Sequence, residues 1–266
     1  MFGNACQDTT VKSLTRFGKG EGDGEFIELT LEHPGLDNAA WKLWKPGQFV
    51  MVRPESFGLD PLMGRPFSIT SADEEQGISI FFQVMGQGTR KLASLKPGEP
   101  VTLWGPLGNA FAVRKDTPTL VLAGGIGIAP FYEYVKRHEQ PENLRMIFGH
   151  RPPLACYNWE RAQGVCSCEA HHETCRQDLM DFIALIEETV PQYCNDGLII
   201  ACGPLPFLET IKKVADQHGG RAQLSLENRM ACGVGACLGC VCDHKTEGPV
   251  SVCARGPVFW SDEIEL

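Results

Sequence analysis

The chain has 266 residues and a formal net charge of -9, and it contains 29 glycines and 12 cysteines. No run rich in lysine and arginine offsets the acidic excess, which argues against nucleic acid as a partner. No segment reaches the roughly 18 continuous apolar residues of a membrane span, and the first 20 residues lack the apolar core of a secretory signal. We therefore expect a cytoplasmic protein of about two domains with room for a small third module.

The first part of the chain, from about residue 8 to residue 112, consists of short runs rich in β-forming residues. Turn signals separate the runs, among them Pro-Gly at 46–47 and 97–98. The runs read TTVKSLTRF, EFIELTLEH, GQFVMVRP, RPFSITSA, GISIFFQVMG and EPVTLWGP. This pattern predicts an antiparallel β-barrel or sandwich.

The middle part, residues 117–226, alternates apolar β-runs with helical patterns. The β-runs are TLVLAG, LRMIFGH, GLIIACG and AQLSL. The helical segments are IAPFYEYVKRHEQ, DLMDFIALIEE and LPFLETIKKVADQHG. Such alternation predicts a parallel sheet covered by helices. Residues 227–266 hold too little apolar sequence for a core of their own, and a bound metal would supply the missing stability.

That last segment contains MACGVGACLGCVC at 230–242. Cys232 and Cys237 are separated by four residues, Cys237 and Cys240 by two, and Cys253 follows after twelve more. The spacing C-x4-C-x2-C with a distant fourth cysteine is the plant-type pattern of a [2Fe–2S] centre. Cys242 competes with Cys253 for the fourth position, and we favour Cys253 because the pattern takes its last ligand from a separate segment.

The glycines between these cysteines fit a loop wrapped tightly around a cluster. Gly233, Gly235 and Gly239 avoid Cβ clashes and are free to adopt positive φ. Amides turned inward would then donate hydrogen bonds to the sulfur atoms. A structural zinc site is the alternative, but zinc sites usually contain two C-x2-C pairs, and only one such pair is certain here. Buried thiols without a metal are a further alternative.

A second candidate site lies in the β-rich part. Arg65-Pro66-Phe67-Ser68 opens one run, and Gly86-Gln87-Gly88-Thr89 leads into the short helical segment TRKLASL. An arginine and a hydroxyl beside a glycine-lined helix start suit a pyrophosphate, and Phe67 or Phe82 would stack on a ring. Each piece alone is equally consistent with a surface ion pair or an ordinary hairpin turn.

In the α/β part, TLVLAGGIGIAPF places a strand before Gly124-Gly125-Ile126-Gly127 and a helix near Pro130. Nucleotide phosphates often bind at such a turn, although this is not the G-x-G-x-x-G fingerprint. A later strand ends at Ala201-Cys202-Gly203-Pro204, and parallel sheets bind ligands at the carboxyl ends of their strands. Close packing of the glycines and a buried structural Cys202 are the alternatives.

Taken in order, RPFSI, GQGT, GPLGNAF, AGGIGIAP, ACGP, SLENRMACGVGAC and the closing CARGPVF resemble the ferredoxin-reductase-type flavoproteins. Within that superfamily the series is similar to the electron-transfer subunits of the NAD-dependent (type B) dihydroorotate dehydrogenases. The resemblance covers nearly the whole chain. It implies an α+β multidomain fold with a β-barrel FAD domain at 1–112, an α/β NAD-binding domain at 113–226 and a [2Fe–2S] module at 227–266.

The resemblance also implies the residues at each site. For FAD these are Arg65, Pro66, Phe67, Ser68, Phe81, Phe82, Gln83, Gly88 and Thr89. For the nicotinamide nucleotide they are Gly124, Gly125, Gly127, Cys202 and Gly203, and for the cluster Cys232, Cys237, Cys240 and Cys253. At 82–83 relatives often carry Tyr-Arg, so this chain has lost a hydroxyl and a charge there.

The function that the resemblance implies is a relay of electrons in pyrimidine biosynthesis. A partner subunit containing FMN, expected to be a TIM barrel, oxidises dihydroorotate, and electrons pass through the cluster and FAD to NAD⁺. No residue of this chain need be a general acid or base, since the chemistry belongs to the cofactors. Two subunits of each kind are implied, with the C-terminal module at the contact surface.

The poorest match to the family is HRPPLACYNWERAQGVCSCEAHHETCRQD, residues 150–178. The acidic and glycine signals of an adenosine contact are missing there. Instead the segment contains four cysteines, Cys156, Cys166, Cys168 and Cys175, with the histidine pair His171 and His172 nearby. These could hold a metal, but their spacing fits no standard pattern, so we expect a flexible loop with free thiols or an occasional disulfide.

Two other functions stay open at this stage. The same cofactors could serve another complex, such as a ferredoxin:NADP reductase-like, sulfhydrogenase-like or sulfite-reductase-like subunit. Alternatively, the chain is a metal or redox sensor that keeps the flavoprotein scaffold and switches through its additional cysteines. A flavin and iron–sulfur spectrum would favour either enzyme, whereas a colourless protein containing zinc would favour the sensor.

Overall fold

The computed structural model of the protein describes residues 6–18, 24–35 and 39–266. The first body is a closed antiparallel barrel with the strand order β1-β2-β5-β4-β3-β6. Its strands are β1 (Cys6–Phe17), β2 (Phe26–Leu31), β3 (Phe49–Pro54), β4 (Arg65–Asp73), β5 (Gly77–Gln83) and β6 (Pro100–Leu107). Two short helices accompany them, α1 (Ala39–Lys42) and α2 (Gln87–Ala93). Of the two predicted architectures, the barrel is therefore the one observed.

Every second side chain along the strands points into the barrel and fills its interior. In β5, Ile78, Ile80 and Phe82 are buried and belong to the same cluster as Val50 and Val52 of β3. The side chains between them point to the opposite face, because successive residues of a strand alternate. Of these outward residues, Phe81 packs against the second body, and Ser79 is hydrogen-bonded to Thr30 of β2 at 2.9 Å.

The second body is a six-stranded sheet with the order β14-β11-β10-β7-β8-β9. Its strands are β7 (Thr119–Gly124), β8 (Leu144–His150), β9 (Ser167–His172), β10 (Leu198–Cys202), β11 (Ala222–Ser225) and β14 (Val258–Trp260). The helices are α3 (Phe131–Arg137), α4 (Arg176–Thr189) and α5 (Leu205–Gln217). All neighbouring pairs are parallel except β11 with β14. The predicted parallel sheet is thus confirmed.

The order of the strands creates a switch point beside β7. From β7 the chain moves to β8 and β9 on one side and then returns to β10 on the other side. The carboxyl ends of β7 and β10 therefore flank the point where the strand order reverses. Ligands of open α/β sheets bind in the crevice at such a point.

Two parts of the sheet were not expected from the sequence. Strand β9 runs through the segment predicted to be a flexible loop and pairs in parallel with β8 from Arg145 to His150, so the prediction of a loop is wrong for residues 167–172. In its residues SCEAHH, two small apolar residues, Cys168 and Ala170, alternate with polar ones and pack against the core, but none is a strong β-former, so the sequence alone did not indicate a strand at this edge of the sheet. Strand β14 comes from the last segment and pairs antiparallel with β11.

The last segment otherwise forms the cysteine loop, residues 230–240, followed by the hairpin β12 (Val241–His244) and β13 (Gly248–Ser251) and the single-turn helix α6 (Val252–Arg255). Cys240 and Cys253 belong to the hydrophobic cluster that also contains Leu224 of the sheet and Met51 of the barrel. The division at 112/113 and 226/227 stays a prediction.

An aromatic cluster joins the barrel to the sheet. Phe81, on the outer face of β5, makes edge contacts with Tyr132 and Tyr157, at centroid distances of 6.2 and 6.4 Å. Phe26 of β2 lies 5.0 Å from Tyr157. Aromatic pairs at these distances stabilise an interface by more than the burial of their area alone.

No helix in the described ranges has the length and hydropathy of a membrane span.

Candidate functional site

The late cysteines form two pairs in the folded chain. The amide of Cys237 donates to Sγ of Cys232 at 3.4 Å, and the amide of Cys253 donates to Sγ of Cys240 at 3.4 Å. Cys240 and Cys253 are 2% and 3% exposed, whereas Cys237 is exposed to solvent. The site therefore has a buried pair and a more accessible pair.

Two further amides of the loop point inward at sulfur. Val234 donates to Cys232 at 3.5 Å, and Gly235 donates to Cys253 at 3.0 Å. Burial opposes ionisation of Cys232, but donors including Val234 and Cys237 prevail and lower its pKa to about 6. Burial raises the pKa of Cys253 to about 12; a coordinating thiol is deprotonated outright by its metal.

This donor set fits a two-iron cluster. Each iron of a [2Fe–2S] centre takes two thiolates, and the structure presents two pairs with amides directed at their sulfur atoms. Within residues 6–18, 24–35 and 39–266, no three His, Cys, Asp or Glu side chains converge on one metal position. This holds for zinc and for iron alike, so the preference for a two-iron cluster rests on the spacing of the cysteines and on the amides that point at sulfur.

The loop adopts positive φ at two of the three predicted glycines. Gly233 has φ of 72° and Gly235 has φ of 80°. The prediction is wrong for Gly239, and the neighbouring Leu238 has the positive value of 53° instead. A Cβ on Gly233 would lie 2.5 Å from Cγ of Met51, so this position requires glycine for both conformation and space.

Cys242 lies outside the loop. It is the second residue of β12, opposite Val250 of β13, and it lines a cleft of about 280 Å³ together with Gly203. Cys253, by contrast, accepts the Gly235 amide from within the loop. This arrangement favours Cys253 as the fourth ligand, and the assignment of all four ligands stays a prediction.

In the barrel, Arg65 lies against the start of α2. Its Nη1 donates to the carbonyl oxygens of Met63 and Gly64 at 2.9 and 3.1 Å, and its Nε would lie 2.7 Å from a Cβ on Gly88. The structure therefore brings together the arginine and the glycine that the sequence assigned to one phosphate site.

The Thr89 hydroxyl is occupied by the turn itself. It accepts the amides of Met85 and Gly86 at 2.9 and 3.0 Å and donates to the Gly86 carbonyl at 3.1 Å. A threonine hydroxyl has one donor and two acceptor positions, so all three are used. In this conformation the Thr89 hydroxyl stabilises the turn, and its predicted contact with a phosphate stays a prediction.

The predicted aromatic contacts have different surroundings. Phe82 fills the barrel interior, where its ring lies 5.1 Å from that of Phe67, and Phe81 is buried in the aromatic cluster. Phe67, Pro66, Ser68 and Gln83 are partly exposed. Of the predicted aromatics, Phe67 is therefore the one with surface available to a flavin.

The predicted nucleotide residues meet at the switch point of the sheet. A Cβ on Gly124 would lie 3.0 Å from Cδ of Pro204, and one on Gly127 would lie 2.7 Å from the amide nitrogen of Gly203. Gly125 has φ of 53°. Burial raises the pKa of Cys202 to about 12, which makes it a neutral thiol at physiological pH. The glycines thus permit close packing of the turn after β7 against the turn after β10.

The segment with the poorest family match borders the same edge. His150 and His172 end the neighbouring strands β8 and β9, and their rings stack at 4.8 Å. Cys168 lies on β9 and Cys175 immediately precedes α4. No disulfide joins any of the four cysteines of this segment, all of which lie in the described part of the chain.

Sequence reasoning missed two residues that assemble the site. Asn109 donates to the carbonyls of Arg255 and Val258 at 3.2 and 2.7 Å and accepts the Val258 amide at 2.9 Å, which ties the barrel to the end of the last segment. Trp104 Nε1 donates to the Cys232 carbonyl at 3.3 Å. The motif GPLGNAF contains Asn109, but no local signal reveals a partner about 150 residues away.

Comparison with known proteins agrees with this architecture. The fold is similar to that of the NADH-dependent reduced ferredoxin-NADP oxidoreductase, with a TM-score of 0.77 and 19% identity over 97% of this chain and 89% of that one. The ferredoxin-NADP⁺ reductase of Plasmodium falciparum has a TM-score of 0.65 and 13% identity over 80% and 90% of the two chains. The chain thus has the ferredoxin-reductase fold.

The sequence comparisons are more specific. Residues 227–265 match the profile of the iron-sulfur cluster binding domain of dihydroorotate dehydrogenase B. The electron transfer subunit of dihydroorotate dehydrogenase B (NAD(+)) from Caldanaerobacter subterraneus is 32% identical over 90% of this chain and 92% of the relative. That of Lysinibacillus sphaericus is 33% identical over 83% and 87%. The chain belongs to this family of oxidoreductase subunits, as the resemblance of the motifs implied.

Proposed function

We propose that this chain carries electrons from a catalytic subunit containing FMN, through a [2Fe–2S] cluster and FAD, to NAD⁺. The observation that carries the proposal is the contact between the cysteine loop and the barrel. Met51 packs against Gly233 of the loop and is the strand partner of Pro66, in the predicted flavin motif. A cluster held by the loop would therefore lie beside a flavin held by that motif.

The cluster would supply one-electron steps between two flavins. Cys232, Cys237, Cys240 and Cys253 would hold it, and the amides of Val234 and Gly235 would set its potential through their bonds to sulfur. The buried pair excludes water from one side of the site, because Cys240 and Cys253 belong to the main hydrophobic cluster.

FAD would bind at the mouth of the barrel beside β4. Arg65 would turn its guanidinium from the Met63 and Gly64 carbonyls to the pyrophosphate, where charge-assisted bonds are stronger. Gly88 leaves room for that side chain, and Pro66, Phe67 and Ser68 would border the ring system. Among the remaining predicted contacts, Phe81 and Phe82 would support the site from within the core, and Gln83 would offer its amide.

NAD⁺ would bind at the switch point, over Gly124, Gly125 and Gly127. Cys202 and Gly203 would border the nicotinamide, as a neutral thiol and a residue without a side chain. No general acid or base is needed, because hydride transfer between flavin and nicotinamide is the chemistry of the cofactors. The chain's part is to hold both rings in position.

The partner would contact the exposed edge of the cysteine loop. Val234 and Leu238, on this edge, are 40% and 67% exposed, and Cys237 lies between them in the sequence. Exposed apolar residues around a redox centre suit a protein interface. We propose a heterotetramer with two copies of each subunit, located in the cytoplasm.

Two alternatives stay open. The same cofactors could serve a different flavin-linked complex, as in the reductases that share the fold. A sensor that switches through its additional thiols is the non-enzymatic alternative, and Cys166 and Cys168 would be the nearest pair among the four cysteines of residues 150–178. No observation favours either one over the family function.

Co-expression with a candidate dihydroorotate-oxidising subunit tests the proposal. We expect NADH formation that depends on both dihydroorotate and this chain. A Cys237→Ser variant tests the role of the cluster. This exposed cysteine is predicted to be a ligand, so its loss should abolish electron transfer without disturbing the barrel. If the partner reduces NAD⁺ equally well without this chain, or if the variant retains full transfer, the proposal is wrong.

A further inference from the structure

Trp104 spans the space between the cysteine loop and the strand that opens with Arg65. Its Nε1 donates to the Cys232 carbonyl at 3.3 Å. On the six-membered ring of the same indole, Cη2 and Cζ2 would lie 3.2 and 3.4 Å from a Cβ on Gly64, the residue before Arg65. One side chain therefore reaches from a predicted cluster ligand to the residue that precedes the predicted flavin motif.

The strand register places Trp104 on the outer surface of the barrel. It lies on β6 and pairs with Met51 of β3, and Met51 in turn pairs with Pro66 of β4. The barrel interior is filled by the alternate residues, such as Leu103 and Val52. Trp104 and Met51 consequently form the part of the outer barrel surface against which the loop packs, and neither belongs to the barrel core.

The two contacts restrain the loop in different ways. Met51 is fully buried and lies under Gly233, where there is no room for a side chain. Trp104 fixes the orientation of the Cys232 carbonyl. The next amide after Gly233, that of Val234, returns to the Cys232 sulfur at 3.5 Å. The indole bond thus restrains the peptide whose neighbouring amide points at a predicted cluster ligand.

We propose that Trp104 is a positioning residue for electron transfer between the cluster and the flavin, an inference that rests on the proposed function. Trp104 fixes the Cys232 end of the loop relative to the flavin motif and keeps the Val234 amide directed at sulfur. Electron tunnelling falls steeply with distance. If the loop moved away from the flavin motif, the distance between cluster and flavin would increase and electron transfer would be slower. The bond to the Cys232 carbonyl also affects the potential of the cluster indirectly, because it holds the loop in which the Val234 amide donates to the Cys232 sulfur, and N–H donors to sulfur tune that potential.

The test uses the purified, cofactor-loaded chain. Trp104→Phe keeps a ring against Gly64 and removes the Nε1 donor, whereas Trp104→Leu removes both contacts. After rapid mixing with NADH, the absorbance of the flavin and that of the cluster would be followed separately. We expect unchanged flavin reduction but slower bleaching of the cluster, more so in Trp104→Leu, and a shifted cluster potential with an unshifted flavin potential.

Amide hydrogen exchange gives a readout that needs no electron transfer. Loss of one neutral hydrogen bond should accelerate exchange at Val234 and Gly235 about fivefold in Trp104→Phe. Trp41→Phe is the matched control, because Trp41 also donates an indole hydrogen bond, to Gln7 Oε1 at 3.1 Å, but within the barrel's own cluster. It should change neither exchange in the loop nor transfer.

The outcomes separate this inference from the proposed function. If both cofactors are present but bleaching, potential and exchange are unchanged in both Trp104 variants, the positioning role is wrong and the relay stands. The positioning role is also wrong if Trp41→Phe has an equal effect. If the unmodified chain binds neither flavin nor cluster, the proposed function fails, and the positioning role is then overturned with it.

Discussion

Gly127 lies directly against the end of β10, so that a Cβ at this position would overlap the carbonyl oxygen of Cys202 and lie 2.7 Å from the amide nitrogen of Gly203. The turn after β7 and the turn after β10 are therefore in backbone contact at the switch point. This contact sets the width of the crevice in which we propose that NAD⁺ binds.

Replacing Gly127 with alanine should open that contact. The obstacle is backbone rather than a flexible side chain, so we expect a loss of about 1–3 kcal/mol in the free energy of unfolding. NADH-dependent flavin reduction should fall as well. Chemical denaturation measures the first effect and stopped-flow absorbance the second. Gly86→Ala is the control for stability, because nothing lies within 4 Å of its Cβ position; equal stability of the two variants would contradict the packing argument.

A pair of glycine substitutions tests the cysteine loop. Gly233→Ala places a Cβ 2.5 Å from Met51 and forces alanine to a φ of 72°, whereas Gly239→Ala meets only Sγ of Cys237 at 3.5 Å. We expect Gly233→Ala to lose most of its bound iron and sulfide and Gly239→Ala to keep them. Chemical analysis of the anaerobically purified variants measures this, and retention of iron by both would show that the loop tolerates displacement from Met51.

The fourth ligand is tested by exchanging two cysteines separately. Cys253→Ser should remove the cluster, because Cys253 accepts the Gly235 amide inside the loop, and Cys242→Ser on the hairpin should leave it intact. Iron content and visible absorbance distinguish the two. The reverse result would assign the fourth position to Cys242.

Thr89 provides a test of the flavin site. Thr89→Val removes a hydroxyl that accepts two turn amides, whereas Thr89→Ser keeps it. Loss of such a cap costs about 1 kcal/mol, so we expect FAD to bind roughly fivefold more weakly to the valine variant and normally to the serine variant. Titration of the flavin-free protein by fluorescence measures this. Weak binding by both variants would instead implicate the methyl group and its packing.

The sequence predicted the parts of the fold that have a local pattern. Strands such as β5 and β7 consist of apolar β-forming residues, and the spacing of Cys232, Cys237 and Cys240 is itself a pattern. Strand β9 has no such pattern because an edge strand is stabilised by its one neighbour rather than by burial on both faces. Strand β14 likewise depends on pairing with β11 across more than 30 residues.

The sequence predicted which residues belong to the site but not which hydrogen bonds join them. Arg65 and Gly88 were assigned to one phosphate site, and they do contact each other. The occupation of the Thr89 hydroxyl within its own turn was not foreseeable, because it depends on the orientation of two amides. The link from Trp104 to Cys232 joins residues 128 positions apart, and a single sequence carries no signal for such a contact.

The most direct test of the account is electron paramagnetic resonance on the anaerobically purified chain during stepwise chemical reduction, combined with assays for flavin and acid-labile sulfide. We predict the signal of a one-electron-reduced two-iron cluster, in an amount equal to the bound FAD. A chain that binds FAD but shows no such signal and no sulfide, or that contains zinc at the late cysteines, would contradict the proposal that these thiols carry electrons.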